Sequence, residues 1–423
     1  MFKLPKLDRR SLTLQIFVGL TLGAGLGLVL NLTGLAKLDW VDRILLDGLF
    51  HAGGQIFMRS LQMLVVPIVF VSLICGTAGL GDPRKLGRIG AKTMGLYLIT
   101  TALAISLGLL TALIVSPGAG FQLTAETNFI PATPPPLIDT LIELMPKNPL
   151  EALASGNMLQ IIVFSLLFGL AMTLAGEAGK RISDVFQDLN EIVMKLVNMI
   201  IRVSPIGVFC LIAKVFSEQG FDAIAPLAKY FFTILFVLIL HLCVTYGILL
   251  KILARLNPII FIRKFKDIMF FAFSTASSNA TIPVTLDAVE NRLGVHRSIS
   301  SFTVPLGATI NMDGTAIMQG VATVFVAQAY GVDLVFSQYM MVILTATLAS
   351  IGTAGVPGVG LIMLAMVFQQ VGLPLEGIGI IMAVDRLLDM VRTAVNITGD
   401  ATVSCIVARS ENQLDESVFY REV

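Results

Sequence analysis

Charge is scarce in this sequence. Only 13% of its 423 residues are charged, about half the share found in a typical soluble domain. A chain so poor in charge cannot cover itself with a water-facing surface. Hydrophobic residues make up 56% and the mean hydropathy is +0.86, which points to a bilayer as the main solvent. The formal net charge of +1 excludes a strongly basic or acidic protein, so no nucleic-acid partner is expected. The four cysteines (Cys75, Cys210, Cys243, Cys405) lie in apolar segments without paired spacing, which excludes a disulfide framework or a zinc motif. The three histidines (His51, His241, His296) are scattered and form no metal cluster. No cofactor is expected.

What is present is a series of long apolar runs. Lys3, Lys6, Arg9 and Arg10 precede the first of them. That run is longer than a signal-peptide core and has no clear small-residue cleavage site, so it reads as a retained helix. A span needs about 20 apolar residues, which leaves room for eight or more. Lys and Arg collect in cytoplasmic loops, and this rule orients the chain. Helix 1 (12–33) runs outward and helix 2 (46–80) returns to a basic loop with Arg84, Lys85, Arg88 and Lys92. Helix 3 (93–116) runs outward to a Pro-rich loop, PATPPP at 131–136. Helix 4 ends before Lys180 and Arg181. Helix 5 (188–216) runs outward, and helix 6 (226–254) returns to Lys251, Arg255, Arg263, Lys264 and Lys266.

Simple alternation fails at 268–290. Both its flanks are basic, with Arg292, His296 and Arg297 beyond it, and its centre reads STASSNAT. One span cannot begin and end on the same side, so this is a re-entrant hairpin whose tip must face protein or a wet cavity. The segment 338–372 carries no formal charge and is broken by ASIGTAGVPGVG, with Asp333 and Glu376 outside it. It reads as a second hairpin of opposite orientation. Each hairpin precedes one long segment containing polar residues, 300–330 and 377–409. Paired, Gly/Pro-broken apolar segments in two halves mark a transporter's substrate site. The fold class is therefore an all-α membrane protein with eight transmembrane helices, two re-entrant helical hairpins and inverted repeats.

The last segment carries Asp385, Asp389, Arg392, Asn396 and Asp400. At about 100° per residue these fall on one helical stripe. A charged side chain at the bilayer centre costs about 2.5–3.5 kcal/mol even on the insertion scale, so the stripe must face partners, water or ligand. Its surplus of acids suits cations. The preceding long segment places Asn311, Asp313 and Thr315 beside Gly307 and Gly314. Its glycines and proline suggest an unwound stretch with free carbonyls, which hard cations such as Na⁺ prefer. The first hairpin tip offers hydroxyls at Ser277 and Ser278. The second, at 354–360, offers backbone N–H groups at a half-helix start, where a carboxylate binds well. Arg392 can hold a second carboxylate bidentately, and Asp389, one turn away, can receive an ammonium. Two carboxylate sites and one ammonium site describe an acidic amino acid.

At these residues the sequence resembles the dicarboxylate/amino acid:cation symporter family, which includes the glutamate transporters. The resemblance covers nearly the whole chain. It is most specific in NMDGT (311–315), SIGTAGVPG (350–358) and the run ending at Asp400. It implies substrate binding by Ser278, Thr315, Val356, Gly360, Asp389, Arg392, Thr393 and Asn396, to which the hairpin reading adds Ser277. It implies one Na⁺ at Gly307, Asn311, Asn396 and Asp400. A second would use Thr309, Ser350, Ile351 and Thr353, and a third Tyr97, Thr100, Thr101, Asn311 and Asp313. It further implies a homotrimer in which a static scaffold (1–80 and 129–222) holds a moving transport domain (81–128 and 223–423), with the second hairpin as gate. Some prokaryotic members carry an arginine where this chain has Ala276, and animal members carry one where it has Met390. Arg386, one turn before Met390, is expected to replace that guanidinium in part.

The function expected is therefore Na⁺-coupled, electrogenic uptake of aspartate or glutamate across a prokaryotic inner (plasma) membrane, with both termini cytoplasmic and no enzymatic activity. A proton-coupled C4-dicarboxylate symporter of the same family is the nearest alternative, but it would have less use for Asp389 and would tend to lose the acid at 400. An intramembrane aspartyl protease fits poorly with the Arg and Asn on the stripe and with the missing GxGD-type motif. An anion channel is the alternative of another class.

Overall fold

The computed structural model describes residues 9–78, 83–121, 123, 142, 145–351, 355 and 358–421. The Pro-rich loop, the first basic residues Lys3 and Lys6, and the expected site residues Thr353 and Val356 lie outside them. The described residues are helical almost throughout. Among them one isolated antiparallel β-bridge joins Val295 to Leu414.

In chain order the main helices are α1 (Arg9–Leu32), α2 (His51–Ala78), α3 (Pro83–Val115), α4 (Pro149–Ser155), α5 (Met158–Leu174) and α6 (Glu177–Gln219). There follow α7 (Ile224–Ala254), α8 (Pro258–Thr275), α9 (Ser278–Asn291), α10 (Arg297–Ile310) and α11 (Asp313–Ala329). The last are α12 (Phe336–Ser350), α13 (Val359–Val371), α14 (Gly377–Ser410) and the short α15 (Glu416–Tyr420). Two helices among the described residues, Arg88–Val115 and Ile224–Ala254, are long and apolar enough by themselves to cross a bilayer, each with a mean hydropathy of 2.4 over its best window.

Several boundaries differ from those expected, for one shared reason. The basic stretches 83–92 and 258–266, read as loops, are helical. Asn257 caps α8, accepting from the Ile259 N–H at 2.9 Å, and Pro258 occupies the first turn, where its missing donor is harmless. Lys and Arg are good helix formers, so a charge-rich flank ends a span without ending a helix.

Two groups of helices pack differently. α1 lies along α6 through Gly19, Gly23 and Gly27. A Cβ at these positions would come within 2.4 Å of the Pro205 carbonyl, 2.7 Å of that of Phe209 and 2.6 Å of that of Ala213. Such small-residue stripes let helix backbones meet in a bilayer, where no hydrophobic drive exists between helices. The outer faces here are apolar and bare, as at Leu22, Ile192, Met199 and Ile206, which is far from a water-facing pattern. By contrast α11 and the second half of α14 are buried along nearly their whole length, enclosed by α3, α7, α8, α10 and α13.

α8 and α9 form one antiparallel pair and α12 and α13 another. The base of the first is tied by Lys264, whose Nζ donates to the Arg292 carbonyl at 3.1 Å. The base of the second is tied by Gln338, whose Nε2 donates to the Val371 carbonyl at 3.1 Å. Each pair thus begins and ends at one level. At the first turn Ala276 takes φ 48°, a left-handed conformation that ends α8, and Ser277 then caps α9 through the Ala280 N–H at 3.3 Å. The two tips meet. Ser277 Oγ donates to the Gly355 carbonyl at 2.8 Å, and the Asn279 N–H donates to the same oxygen at 3.2 Å.

Two basic residues of the first expected cytoplasmic loop meet the end of α14. Lys92 Nζ donates to Glu411 Oε1 at 2.6 Å, and Arg88 pairs with the other oxygen. The Lys92 hydrogen bond, with Arg88 beside it, holds the Glu411 carboxyl below the ordinary carboxylate range. Nearby the chain after α14 clasps the base of α9, with the His296 N–H on the Gln413 carbonyl at 2.9 Å and the Asp415 N–H on that of Gly294 at 2.8 Å.

Candidate substrate and cation site

The site forms where α14 passes a break in the preceding helix. α10 ends at Ile310 and α11 starts at Asp313, so Asn311 and Met312 leave helical geometry, with ψ of 90° and 43°. This is the unwound stretch expected from the glycine and proline content. It interrupts the helical ladder at the first two residues of the NMDGT run, while Asp313, Gly314 and Thr315 open α11.

Asn311 is the hinge of the polar cluster. Its Nδ2 donates to Asp400 Oδ1 and to the Asn396 carbonyl, both at 2.9 Å. Asn396 in turn accepts from the Gly314 N–H at 2.7 Å, and its amide approaches Met312 Sδ at 3.4 Å. A Cβ on Gly307 would stand 2.4 Å from Asp400 Oδ1 and 2.6 Å from the Tyr97 hydroxyl. Gly307, Asn311, Asn396 and Asp400, inferred as one cation set, therefore converge.

Asp313 centres a second group. Thr101 Oγ1 donates to its Oδ1 at 2.7 Å, and Thr100 Oγ1 lies 3.4 Å from that oxygen and 3.5 Å from Asn311 Oδ1. Tyr97 is fully buried beside them and donates to the Thr303 carbonyl at 2.9 Å. The set Tyr97, Thr100, Thr101, Asn311 and Asp313 is also brought together. The structure adds two residues that the sequence reading did not assign. Tyr246 donates to Asp313 Oδ2 at 2.7 Å and His241 Nε2 lies 3.1 Å from the same oxygen. His241 was a lone histidine in an apolar run. That placement was its only signal, because its partner lies 72 residues away. The remaining cation set is less joined: Thr309 and Ser350 turn their hydroxyls back onto their own helices, at Leu306 and Thr347.

Along α14 the expected stripe is realised. Arg392, with a side-chain exposure of 0%, donates through Nη1 to Asp385 at 2.7 Å and through Nη2 to Asp389 at 2.9 Å. Its Nε has no hydrogen-bond partner among the described residues. Thr393 donates to the Asp389 carbonyl at 2.8 Å. Gly360, at the start of α13, sits against this guanidinium: a Cβ there would lie 3.4 Å from Arg392 Nη2 and 3.3 Å from the Thr315 methyl. The Gly358 N–H donates to Asp389 Oδ2 at 3.3 Å. Ser277 and Ser278 are buried at the neighbouring tip. Asp385 is the group the sequence reading left without a role. It lies seven residues from Arg392, two turns along the same face, and neutralises one side of the guanidinium.

Four acids are buried here, Asp313, Asp385, Asp389 and Asp400. Asp385 and Asp389 pair with the buried Arg392, Arg386 lies at the edge 3.7 Å from Asp389, and Asp313 has His241 at 3.1 Å. A buried carboxylate without a compensating charge is costly, and Asp400 bonds a neutral amide. The structure thus gathers two polar groups, an oxygen-rich one at Asp313 and Asp400 and an ion-paired one at Arg392 and Asp389.

A family model described as the sodium:dicarboxylate symporter family matches residues 12–410. The chain belongs to this family. It is 37% identical to the Proton/glutamate-aspartate symporter of Escherichia coli (strain K12), over 98% of this chain and 96% of that one. It is 36% identical to the Proton/sodium-glutamate symport protein of Geobacillus stearothermophilus, over 95% of each chain. It is 32% identical to the C4-dicarboxylate transport protein of Bacillus subtilis (strain 168), over 96% of this chain and 95% of that one. Membership of this symporter family makes the chain an integral membrane transporter and not an enzyme.

Proposed function

We propose that this protein takes up aspartate or glutamate together with Na⁺ across the plasma membrane. The observation that carries this reading is the buried Asp385–Arg392–Asp389 cluster against Thr315 and Gly360. In it Arg392 receives the substrate's distal carboxylate, the N–H groups at the start of α13 and the Ser277–Ser278 tip receive the α-carboxylate, and Asp389 receives the ammonium. Asn396, Thr393, Thr315 and Val356 complete the substrate site. Na⁺ is cargo. It occupies the Gly307–Asn311–Asn396–Asp400 set, the Tyr97–Thr100–Thr101–Asn311–Asp313 set, and a third set at Thr309, Ser350, Ile351 and Thr353.

In this reading eight helices span the bilayer, and the α8–α9 and α12–α13 pairs enter it as re-entrant hairpins, with both termini cytoplasmic. The bare apolar faces of α1, α2 and α6 suit a scaffold (1–80 and 129–222) in a homotrimer. The transport domain (81–128 and 223–423) carries the site across in an elevator motion, with α12–α13 as gate. A second reading, coupling to protons, is favoured by the name of the Escherichia coli relative. Uptake of labelled aspartate into proteoliposomes, with an imposed Na⁺ gradient or an imposed proton gradient in Na⁺-free buffer, separates the two.

A further inference from the structure

Asp389 is held by two guanidinium groups, one on each oxygen. Oδ1 faces Arg392 Nη2 at 2.9 Å and Oδ2 faces Arg386 Nη1 at 3.7 Å. The two arginines differ in burial. Arg392 is sealed, with 0% of its side chain exposed, and has Asp385 as a second partner; Arg386 keeps 22% exposure at the rim. Arg386 and Asp389 stand three residues apart on α14, so the helix itself keeps them within reach.

This arrangement bears on which acids fit. An acidic amino acid brings a carboxylate for Arg392 and an ammonium for Asp389, so both members of the resting ion pair are compensated when they separate. A C4 dicarboxylate such as succinate brings the carboxylate but no ammonium. When Arg392 turns to it, Asp389 would lose its closest cation inside a buried site, which is strongly unfavourable. Arg386 lies on the opposite oxygen of Asp389, already within ion-pair distance at 3.7 Å.

We propose that Arg386 sets the breadth of substrate choice: by holding Asp389 when Arg392 engages the substrate, it admits C4 dicarboxylates alongside acidic amino acids. This inference rests on the placing of substrate at Arg392 and Asp389 given above. Arg386 is then a positioning residue that acts through Asp389. It has opposite effects on the two ligand classes. For a dicarboxylate it supplies the missing cation. For an amino acid it competes with the substrate ammonium for the same carboxylate.

The test uses the full-length protein in proteoliposomes, as wild type, Arg386→Ala and Arg386→Lys. Labelled aspartate uptake is measured with unlabelled succinate as competitor, and labelled succinate uptake is measured directly. Arg386→Ala should weaken succinate about five-fold or more, between the effect of a surface pair and that of a buried one, while aspartate binding tightens. Arg386→Lys keeps the charge and should retain most of the succinate affinity. Opposite shifts for two ligands on one variant cannot come from misfolding. The inference is overturned if both ligands weaken together in Arg386→Ala, or if wild type takes up aspartate and is indifferent to succinate; the latter leaves the amino-acid reading intact. A wild type that transports succinate but not aspartate removes the amino-acid reading itself, and the inference with it.

Discussion

The side-chain amide of Asn311 donates to Asp400 Oδ1 at 2.9 Å, across 89 residues of sequence. That bond joins the break between α10 and α11 to the middle of α14. Two elements that each carry buried polar atoms thereby satisfy one another. Asp400 gains a neutral donor but no cation from it, and the coupling proposed above assigns that cation to Na⁺.

The first prediction concerns that carboxylate. Asp400→Asn keeps the shape of the side chain and removes its charge. If Asp400 holds Na⁺, the Na⁺ concentration needed for half-maximal aspartate uptake should rise at least ten-fold, or uptake should be lost. Arg392 and Asp389 are untouched, so any residual aspartate binding at saturating Na⁺ should keep its preference for acidic side chains. Unaltered Na⁺ dependence in the variant, measured by uptake or by Na⁺-dependent binding, would remove Asp400 from the ion site.

A smaller change tests the same place sterically. Gly307→Ala puts a methyl group 2.4 Å from Asp400 Oδ1 and 2.6 Å from the Tyr97 hydroxyl, well inside van der Waals contact. Either the carboxylate moves or α10 does. Overpacking of this kind costs about 1–3 kcal/mol. Na⁺ affinity should fall while the protein still inserts and folds, which a thermal-shift series at several Na⁺ concentrations would read as a lost Na⁺-dependent stabilisation.

Arg392 should set selectivity for the acidic side chain. Truncating one partner of a buried charge pair costs about 2–5 kcal/mol, so Arg392→Ala should weaken aspartate by about 30-fold to several thousand-fold. The substitution also strips Asp385 and Asp389 of their 2.7 and 2.9 Å partner. The decisive number is therefore the ratio of aspartate to serine affinity in Na⁺-dependent binding. It should collapse, since serine keeps its ammonium and α-carboxylate sites. Arg392→Lys should restore only part of it, because an ammonium lacks the planar fork. An unchanged ratio would make Arg392 structural.

Transport should be electrogenic. If all three inferred sites fill with Na⁺ and the substrate carries one negative charge, two net positive charges enter per cycle. At about 2.3 kcal/mol per charge per 100 mV, the membrane potential adds roughly 4–5 kcal/mol to the drive. Uptake should therefore accelerate when a valinomycin-clamped K⁺ gradient makes the vesicle interior negative. Indifference to that potential would contradict the stoichiometry and leave the substrate assignment standing.

Much of this was legible in the chain alone, because the bilayer admits few solutions. Long apolar runs, basic flanks and the spacing of Asp385, Asp389, Arg392, Asn396 and Asp400 each follow from a local rule. A membrane helix must satisfy its own backbone, and its charges must face inward. Those rules placed the polar stripe on one face of α14 and the unwound stretch near Asn311. What they could not supply is the identity of partners brought by other helices. His241 and Tyr246 reach Asp313 from a helix some 70 residues earlier in the chain, and nothing in their local sequence distinguishes them from residues facing lipid. Asp385 looked like one more acid on the stripe, until the fold showed its carboxylate on Arg392. The basic flanks misled the helix boundaries for the opposite reason: charge decides where a chain leaves the membrane, while helix propensity and capping decide where a helix stops. Sequence periodicity determined which residues share a face. Only tertiary packing decided which charges on that face are paired with one another and which meet neutral groups from other helices.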